Sequence, residues 1–413
     1  MSASPWLTSP SSRTNAEAEA PVTLQTEVQN ILDRGVSAGD VVGAAAQVVT
    51  GDGLLAAAAA GSRTAAAGAS ALPMTLDTVC WIASMTKAIT GTAAMQLVER
   101  GELHLDEPAS SVLPNLADAG VLEGFDRDGQ PVVRPARGQI SLRRLLTHTA
   151  GFGYPYWSET LLRYHQATGT DSMTSGELVA TTTVPALFDP GERWMYGISI
   201  DYVGRMVEEV SGQRLDDYFD EHILGPLGMD STAFSLSDEM QSRLSVVHVR
   251  LPDGSLAARD LPRSPEPRFP SGGGGLYSTT RDYCRFLQMI LGRGSRNGVK
   301  VLRPDTVDEM TANHIGDLRV VALHSAMPEL TNDAEFFPDV QKSWGLTFQI
   351  NEEPLPTGRP AGGLMWAGIA NSFFWIDMDN QVSGTYMSQQ LPFADARSLQ
   401  LYLAVETATY RHL

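Results

Sequence analysis

The chain has 413 residues, of which 43% are hydrophobic and 19% are charged, and its formal net charge is −18. This length and composition are typical of a globular protein with a substantial core and two structural lobes. The strong negative charge repels phosphate backbones and anionic lipid surfaces, which argues against nucleic acids and membrane surfaces as partners.

The cysteines and the first residues bear on the cellular compartment. Cys80 and Cys284 are far apart and Cys80 lies in an apolar run, so we expect two buried free thiols and no disulfide. Residues 1–20 lack the apolar core of a signal peptide, and we expect them to form a disordered polar arm. A cytoplasmic location follows as the default expectation.

The first hundred residues predict a helix, a hairpin and a second helix. Apolar residues recur at helical spacing over 24–35, which indicates an amphipathic helix that ends near Gly35. Two strands over 41–61 flank the turn Gly51-Asp52-Gly53, although the alanines at 56–60 also favour helix. A long apolar helix then stops at Gly101.

The rest of the chain predicts a loop-rich middle followed by alternating strands and helices. Residues 250–270 are rich in proline and charge, like a surface excursion, and the glycines at 272–275 mark a tight backbone turn. Helices are predicted over 202–210, 279–291 and 394–410, and strands over 344–350, 373–377 and 382–388. We therefore predict a discontinuous α/β sheet domain over 21–100 and 270–413, with a helical domain over 101–269.

Ser84 and Lys87 are the most informative pair in the sequence. They stand three residues apart, and Lys87 is the only charged side chain between Asp77 and Glu99. Residues at this spacing share a helix face, so the hydroxyl and the amine can touch. A buried amine loses hydration and its pKa falls, so it can take the proton of a serine that attacks a carbonyl carbon.

The apolar run around Lys87 has two alternative interpretations. Lys87 is equally compatible with an ordinary lysine that extends to the surface from a core helix. A membrane span fits the length of about 20 residues but not the content, because the run also holds several serines, threonines and Gln96.

Several segments in a fixed order give the chain a family resemblance. It resembles the serine β-lactamase-like superfamily of class C β-lactamases and penicillin-binding proteins, and within it the family VIII carboxylesterases and the acyltransferase of lovastatin biosynthesis. The resemblance covers about residues 25–410. The segments are Ser84-Met85-Thr86-Lys87, Val121-Leu122-Glu123-Gly124-Phe125-Asp126, Leu145-Leu146-Thr147-His148-Thr149-Ala150-Gly151, Trp194-Met195-Tyr196-Gly197 and Gly272-Gly273-Gly274-Gly275-Leu276-Tyr277-Ser278-Thr279.

The resemblance implies a fold of the α/β (α+β) type, β-lactamase/transpeptidase-like, in which helices flank a central antiparallel sheet beside a mostly helical lobe. It also implies three catalytic motifs. Ser84 and Lys87 match the first motif, and Tyr196 matches the second, although Ile198 stands where the family often has a polar residue. Trp366-Ala367-Gly368 is the best match to the third, a Lys-Thr-Gly-type strand.

By this resemblance, Ser84 attacks an acyl carbonyl while Lys87 and Tyr196 share its proton, and which of the two is the base stays open. The N–H groups of Ser84 and Ile369 are expected to form the oxyanion hole. The changes at Trp366 and Ile198 favour small neutral esters over anionic amides. An apolar acyl pocket is expected from Ile198 and from aromatic residues, for each of which core packing is the alternative: Tyr154, Tyr156, Trp157, Trp344 and Phe348.

Other motifs indicate no further chemistry. His148 belongs to a motif that is structural in the family, and no G-x-S-x-G elbow occurs. Eight histidines without an H-E-x-x-H motif indicate no metal site, and no cofactor is expected.

The leading hypothesis is a carboxylesterase whose partner is a small ester and whose oligomeric state is open. The alternatives are an acyltransferase, a β-lactamase or D-amino peptidase, and a catalytically silent penicillin-binding-like protein. The esterase hypothesis and its alternatives differ in the molecule that accepts the acyl group, in the bond that is cleaved and in whether a bond is cleaved at all.

Overall fold

The computed structural model describes residues 22–64, 71–170, 184–260 and 267–413. The predicted arm at 1–20 and part of the excursion at 250–270 lie outside these ranges. Within them, no helix has both the length and the apolar character needed to cross a membrane. Cys80 and Cys284 are buried free thiols, as predicted.

The helices of the described residues include all five that the sequence predicts. In chain order they are α1 Leu24–Ser37, α2 Thr86–Glu99, α3 Leu142–Leu146, α4 Glu159–Thr168, α5 Ser199–Ser211, α6 Leu215–Phe219, α7 Gly225–Leu227, α8 Asp238–Ser242, α9 Thr280–Leu291, α10 Pro304–Thr311 and α11 Ala396–Arg411. Short 3₁₀ turns cover Ala83–Met85, Ala109–Ser111, Pro114–Asp118 and Pro155–Trp157, and a π-helical turn covers Asp220–Leu224.

The strands fall into one large sheet and several short pairs. They are β1 Gly43–Thr50, β2 Leu54–Gly61, β3 Cys80–Trp81, β4 Gly120–Phe125, β5 Pro131–Pro135, β6 Val247–Arg250, β7 Leu256–Arg259, β8 Tyr277–Ser278, β9 Ser295–Arg296, β10 Val299–Lys300, β11 Lys342–Trp344, β12 Gln349–Asn351, β13 Leu364–Gly368, β14 Ser372–Asp377, β15 Val382–Ser388 and β16 Gln390–Leu391.

The large sheet joins the two ends of the chain. Its seven strands run in the order β11-β12-β13-β14-β15-β1-β2, and every neighbouring pair is antiparallel. Ala46 of β1 pairs with Tyr386 of β15 on one side and with Ala58 of β2 on the other. Helix α9 contacts β1 and β15, and helices α1 and α11 contact each other as well as strands of the sheet.

The alanine run at 56–60 forms a strand because tertiary contacts outweigh its helical propensity. Strand β2 lies at the edge of the sheet, and the small alanine side chains let helix α1 approach it closely. Gln25 on that helix donates to the Ala57 carbonyl and accepts from the Ala57 N–H, both at 2.9 Å. The amide of Gln25 therefore covers part of an edge that would otherwise be open to pairing.

Two predicted segments differ from the structure. The single strand predicted over 344–350 is two strands, β11 and β12, because the chain turns sharply between them. Thr347 has a φ of +82°, a left-handed conformation found in tight turns and not in strands. The excursion over 250–270 contains a regular element, since β7 pairs antiparallel with β6.

A buried ion pair attaches the loop before β13 to helix α11. Arg359 and Glu406 are both fully buried and lie 3.5 Å apart. Arg359 also donates to the Leu364 carbonyl at 3.0 Å, at the start of β13, while the Glu406 carboxylate accepts from Thr357 and Tyr402, each at 2.5 Å. The pair thus holds the strand that carries Trp366.

Arg359→Met is expected to lower the free energy of unfolding by about 3–5 kcal/mol, because it leaves the Glu406 carboxylate buried without its cation. Urea denaturation measures this loss. The double variant Arg359→Met/Glu406→Gln, which removes both charges, is expected to recover much of it. A single-variant loss below about 1 kcal/mol would mean that the ion pair does not hold the loop.

Candidate active site

Ser84 lies in a tight turn immediately before helix α2. The 3₁₀ turn Ala83–Met85 precedes the helix, and Ala83 has a φ of +45°, which a residue with a Cβ adopts at an energetic cost. Gly368, at the end of β13, packs against the Ile82 carbonyl so closely that a Cβ there would collide with it. The turn is therefore fixed between α2 and the end of β13, and Ser84 stays partly exposed.

Lys87 is completely buried, one helical turn after Ser84. Its Nζ lies 3.1 Å from Ser84 Oγ, 3.2 Å from the Tyr154 hydroxyl and 2.6 Å from the Gly273 carbonyl oxygen. Burial lowers the pKa of Lys87 from 10.5 to about 7, and the negative charge of Asp201 partly opposes this fall. At neutral pH a large fraction of this amine is therefore unprotonated.

Tyr196 is the second phenol at the amine. Lys87 Nζ lies 4.7 Å from the centre of its ring, and its hydroxyl is hydrogen-bonded to Ser84. Trp366 Nε1 donates to the same hydroxyl at 2.9 Å. Burial raises the pKa of Tyr196, and the hydrogen bonds with Ser84 and Trp366 oppose this rise, so the phenol stays protonated at rest.

Tyr154 contacts Lys87 directly, whereas the sequence predicts it only as a wall of the acyl pocket. Its hydroxyl accepts from Lys87 at 3.2 Å, and its ring stacks on Tyr156 with 4.8 Å between centroids. Burial raises the pKa of Tyr154 well above its ordinary value. Three polar groups therefore surround the Lys87 amine: the Ser84 hydroxyl, the Tyr154 hydroxyl and the Gly273 carbonyl.

This geometry was compared with known proteins. The β-lactamase family model matches residues 28–409. The chain belongs to the β-lactamase family. The monacolin J acid methylbutanoyltransferase of Aspergillus terreus is 36% identical over 349 residues, which are 82% of this chain and 83% of that protein. The lovastatin esterase of Penicillium rubens is 31% identical over 337 residues, which are 79% and 83% of the two chains.

A solved structure gives the same family assignment. A mutant of the simvastatin synthase from Aspergillus terreus superposes with a TM-score of 0.80 and 29% identity, over 94% of this chain and 95% of that one. The predicted family and the predicted β-lactamase/transpeptidase-like fold are confirmed. This β-lactamase family member is a serine enzyme related to both acyltransferases and esterases.

The structure brings most of the predicted site residues together. Ser84, Lys87 and Tyr196 meet at one point, with Trp366 against the tyrosine. Trp157 lies beside Tyr196 with 5.4 Å between ring centroids, and Tyr156 reaches the site through Tyr154. Of the remaining third-motif residues, Ala367 is buried, Gly368 contacts the Ile82 turn and Ile369 is partly exposed.

Three predicted pocket residues are core residues. Trp344 is fully buried, and its Nε1 donates to the Leu146 carbonyl at 3.2 Å. Phe348 is fully buried against Phe374, and Ile198 is buried at the start of helix α5. Trp344 ends strand β11, and Phe348 lies in the turn that precedes β12.

His148 supports Tyr196 by packing. It is fully buried, its Nδ1 accepts from the Gly197 N–H at 3.4 Å, and its ring lies 4.7 Å from that of Tyr196. Burial, and then the positive charge of Lys87, hold the pKa of His148 well below its ordinary value. The histidine is therefore a neutral packing residue in this site.

Tyr196→Phe is expected to lower kcat for ester cleavage by about 10²- to 10⁴-fold, because it removes the hydroxyl that we predict to exchange a proton with Ser84. The KM is expected to change little. Tyr386→Phe is the matched control, since this buried phenol bonds to Ser398 outside the site. Equal kcat values for the two variants in steady-state assays would contradict a proton-transfer role for Tyr196.

Proposed function

We propose that the chain cleaves small neutral carboxylic esters through a covalent acyl-Ser84 intermediate. The observation that carries the proposal is the 3.1 Å contact between Ser84 Oγ and the buried Lys87 amine. Because the pKa of this amine is about 7, it can accept the serine proton at neutral pH.

In acylation, Ser84 Oγ forms a bond to the carbonyl carbon as its proton passes to the Lys87 and Tyr196 pair. Collapse of the tetrahedral intermediate breaks the ester C–O bond, and the proton goes to the leaving alkoxide. Water then attacks the acyl carbon and gives a proton to the same pair. The bond between the acyl carbon and Ser84 Oγ breaks, the pair returns the proton to Oγ, and the carboxylic acid leaves. Burial raises the pKa of Tyr196 and lowers that of Lys87, which supports a resting state of phenol and amine with Lys87 as the base.

The oxyanion hole is part of the same proposal. We assign it to the N–H groups of Ser84 and Ile369. Support comes from the close packing of Gly368 on the Ile82 carbonyl, in the turn before Ser84, because Ile369 follows Gly368 directly in the chain. Each such donor typically lowers the barrier by about 3 kcal/mol.

The preference for a neutral substrate rests on Trp366. Its side chain is 4% exposed, and its one N–H is donated to Tyr196. At this position the chain therefore offers a substrate carboxylate neither a cation nor a free donor. An unpaired carboxylate in a pocket costs several kcal/mol, so anionic β-lactams and peptide termini are poorer substrates than esters.

Transfer of the acyl group to an alcohol is the second candidate. The same acyl-serine forms, and only the second nucleophile differs. Support comes from the relatives, one of which is named as a methylbutanoyltransferase and one as an esterase. The segment Leu122-Glu123-Gly124-Phe125, on which the sequence resemblance to the acyltransferase rests, forms most of strand β4.

Two assays on the purified chain test the proposal. We expect rapid hydrolysis of p-nitrophenyl butyrate and slow or undetectable hydrolysis of a chromogenic cephalosporin. Product analysis with an added alcohol measures how the acyl group divides between water and the acceptor. Fast cephalosporin turnover without ester turnover would overturn the proposal, and an alkyl ester as the main product would select acyl transfer.

A further inference from the structure

The four glycines at 272–275 form a turn that is held between helices α2 and α5. Thr90 on α2 donates to the Gly272 carbonyl at 2.7 Å, and Thr86 accepts from the Leu276 N–H at 3.1 Å. On the other side, a Cβ at Gly272 would lie 3.1 Å from the Ile200 carbonyl oxygen of α5. The turn needs glycine because two helices approach its backbone, and not because a phosphate binds there.

Asp201 on α5 is linked to Lys87 through one residue of this turn, Gly273. Its Oδ1 accepts from the Gly273 N–H at 3.0 Å and from the Ser271 hydroxyl at 2.6 Å. The carbonyl of the same Gly273 residue accepts from Lys87 Nζ at 2.6 Å. A carboxylate, a glycine residue and the catalytic amine thus form a continuous chain of hydrogen bonds.

The carboxylate also lies in direct contact with the glycine. A Cβ at Gly273 would stand 2.5 Å from Asp201 Oδ2, so no side chain fits there without displacing the carboxylate. Asp201 is 1% exposed, and it is the only charged residue between Arg193 and Arg205 in the sequence. A buried carboxylate of this kind needs partners, and the ones the structure gives it lie beside the Lys87 site.

The ionisable groups around Lys87 come from every element that packs against it. Tyr154 and Tyr156 lie on one side, Tyr196 and His148 on another, and Asp201 lies beyond Gly273. Burial raises the pKa values of the three tyrosines and lowers that of His148, so all four groups are neutral near pH 7. Among these neighbours Asp201 is the one whose negative charge raises the pKa of Lys87.

We propose that Asp201 is a positioning residue, which aims the Gly273 carbonyl at Lys87 Nζ and provides the negative charge that stabilises the ammonium formed when Ser84 loses its proton. The inference rests on the acyl-serine chemistry proposed above. It adds a fourth side chain, which does not touch the substrate, to the Ser84, Lys87 and Tyr196 apparatus.

The test is Asp201→Asn, which keeps an oxygen acceptor for Gly273 and removes only the charge. Asp377→Asn is the matched control, because Asp377 is equally buried and accepts two backbone N–H groups at the other end of β14 from the site. The chain has only three lysines, so NMR of protein labelled with ¹³C at lysine Cε gives three resolvable titrations. The signal that Lys87→Met removes is assigned to Lys87.

We expect Lys87 to titrate near pH 7 in the parent chain and roughly one pH unit lower in Asp201→Asn, because the ammonium has lost a nearby negative charge. The acidic limb of kcat/KM for p-nitrophenyl butyrate is expected to move by the same amount. Asp377→Asn is expected to change neither midpoint. An unchanged Lys87 midpoint in Asp201→Asn would overturn the proposal, even if the variant were less stable.

A pair of glycine variants tests the positioning part separately. Gly273→Ala pushes against Asp201 and is expected to lower kcat about a hundredfold, since small displacements of catalytic groups have effects of this size. In Gly274→Ala the new Cβ has 3.8 Å to its nearest neighbour, and activity close to that of the parent chain is expected. Equal kcat values in the two variants, both folded by circular dichroism, would contradict the positioning role.

The NMR titration separates failure of this inference from failure of the proposed function. If no ester or phosphonate reacts with the chain but the Lys87 midpoint still depends on Asp201, the proposed function fails and the coupling of Asp201 to Lys87 stands. If esters are cleaved through Ser84 and the midpoint is insensitive to Asp201, the function stands and the inference fails.

Discussion

Ser84→Ala is expected to reduce hydrolysis of p-nitrophenyl butyrate by about 10⁵- to 10⁶-fold. The substitution removes the atom that bonds to the acyl carbon, and the described site offers no second hydroxyl beside Lys87 Nζ except those of the two phenols. The residual rate then comes from substrate binding and from the oxyanion donors alone. Steady-state assays at matched protein concentrations measure the loss.

Two further measurements make this result specific to the nucleophile. A p-nitrophenyl phosphonate is expected to add one equivalent to the parent chain and none to Ser84→Ala, which intact-mass spectrometry resolves. Ser398→Ala is the matched control, because this buried serine on α11 bonds to Tyr386 and Ser388 outside the site. Phosphonate labelling of Ser84→Ala at the parent rate would place the nucleophile elsewhere.

The elements that sequence predicts well are those whose signals are local. The turn Gly51-Asp52-Gly53 between two apolar runs predicts the hairpin of β1 and β2, and the spacing of apolar residues predicts helix α1. The sequence predicts one strand where the structure has β11 and β12. The left-handed position in the turn between them is occupied by Thr347 and not by a glycine. Packing maintains this strained backbone conformation, and the sequence pattern does not indicate it.

The residues of the site also differ in how far local sequence predicts them. Ser84 and Lys87 are close in sequence, so helical spacing alone brings them together, whereas Tyr196 was assigned only through the family resemblance. Asp201 and Gly273 come from segments about 70 residues apart and meet through the packing of α5 on the glycine turn. Asp201 is the single charged residue in the apolar start of α5, and this pattern could have identified it from the sequence. Carboxylates are almost never fully buried without a partner.

Trp366 makes a contact that its match to the third motif does not predict. The structure turns the indole N–H towards the Tyr196 hydroxyl and leaves the side chain almost fully buried. Tryptophan in place of a motif lysine thus removes a cation and adds a hydrogen-bond donor to the Tyr196 hydroxyl.

The burial of the Lys87 amine is expected to lower the free energy of unfolding. Its pKa falls from 10.5 to about 7 on folding, so the folded state favours the neutral amine. The free-energy cost is complete below pH 7, where the amine is charged in both states, and it decreases as the pH rises towards 10.5. The full difference corresponds to roughly 5 kcal/mol.

Lys87→Met is therefore expected to lower kcat/KM for ester cleavage by at least about 10³-fold and to change stability in a pH-dependent way. Because the variant lacks the titrating amine, its free energy of unfolding relative to the parent chain is expected to fall by roughly 3 kcal/mol between pH 7 and pH 9.5. Urea denaturation at the two pH values measures this difference, with the exposed Lys300→Met as control. A stability difference that is the same at both pH values would show that Lys87 stays charged in the folded protein, and the neutral-amine base would then have to be replaced by the Tyr196 phenolate.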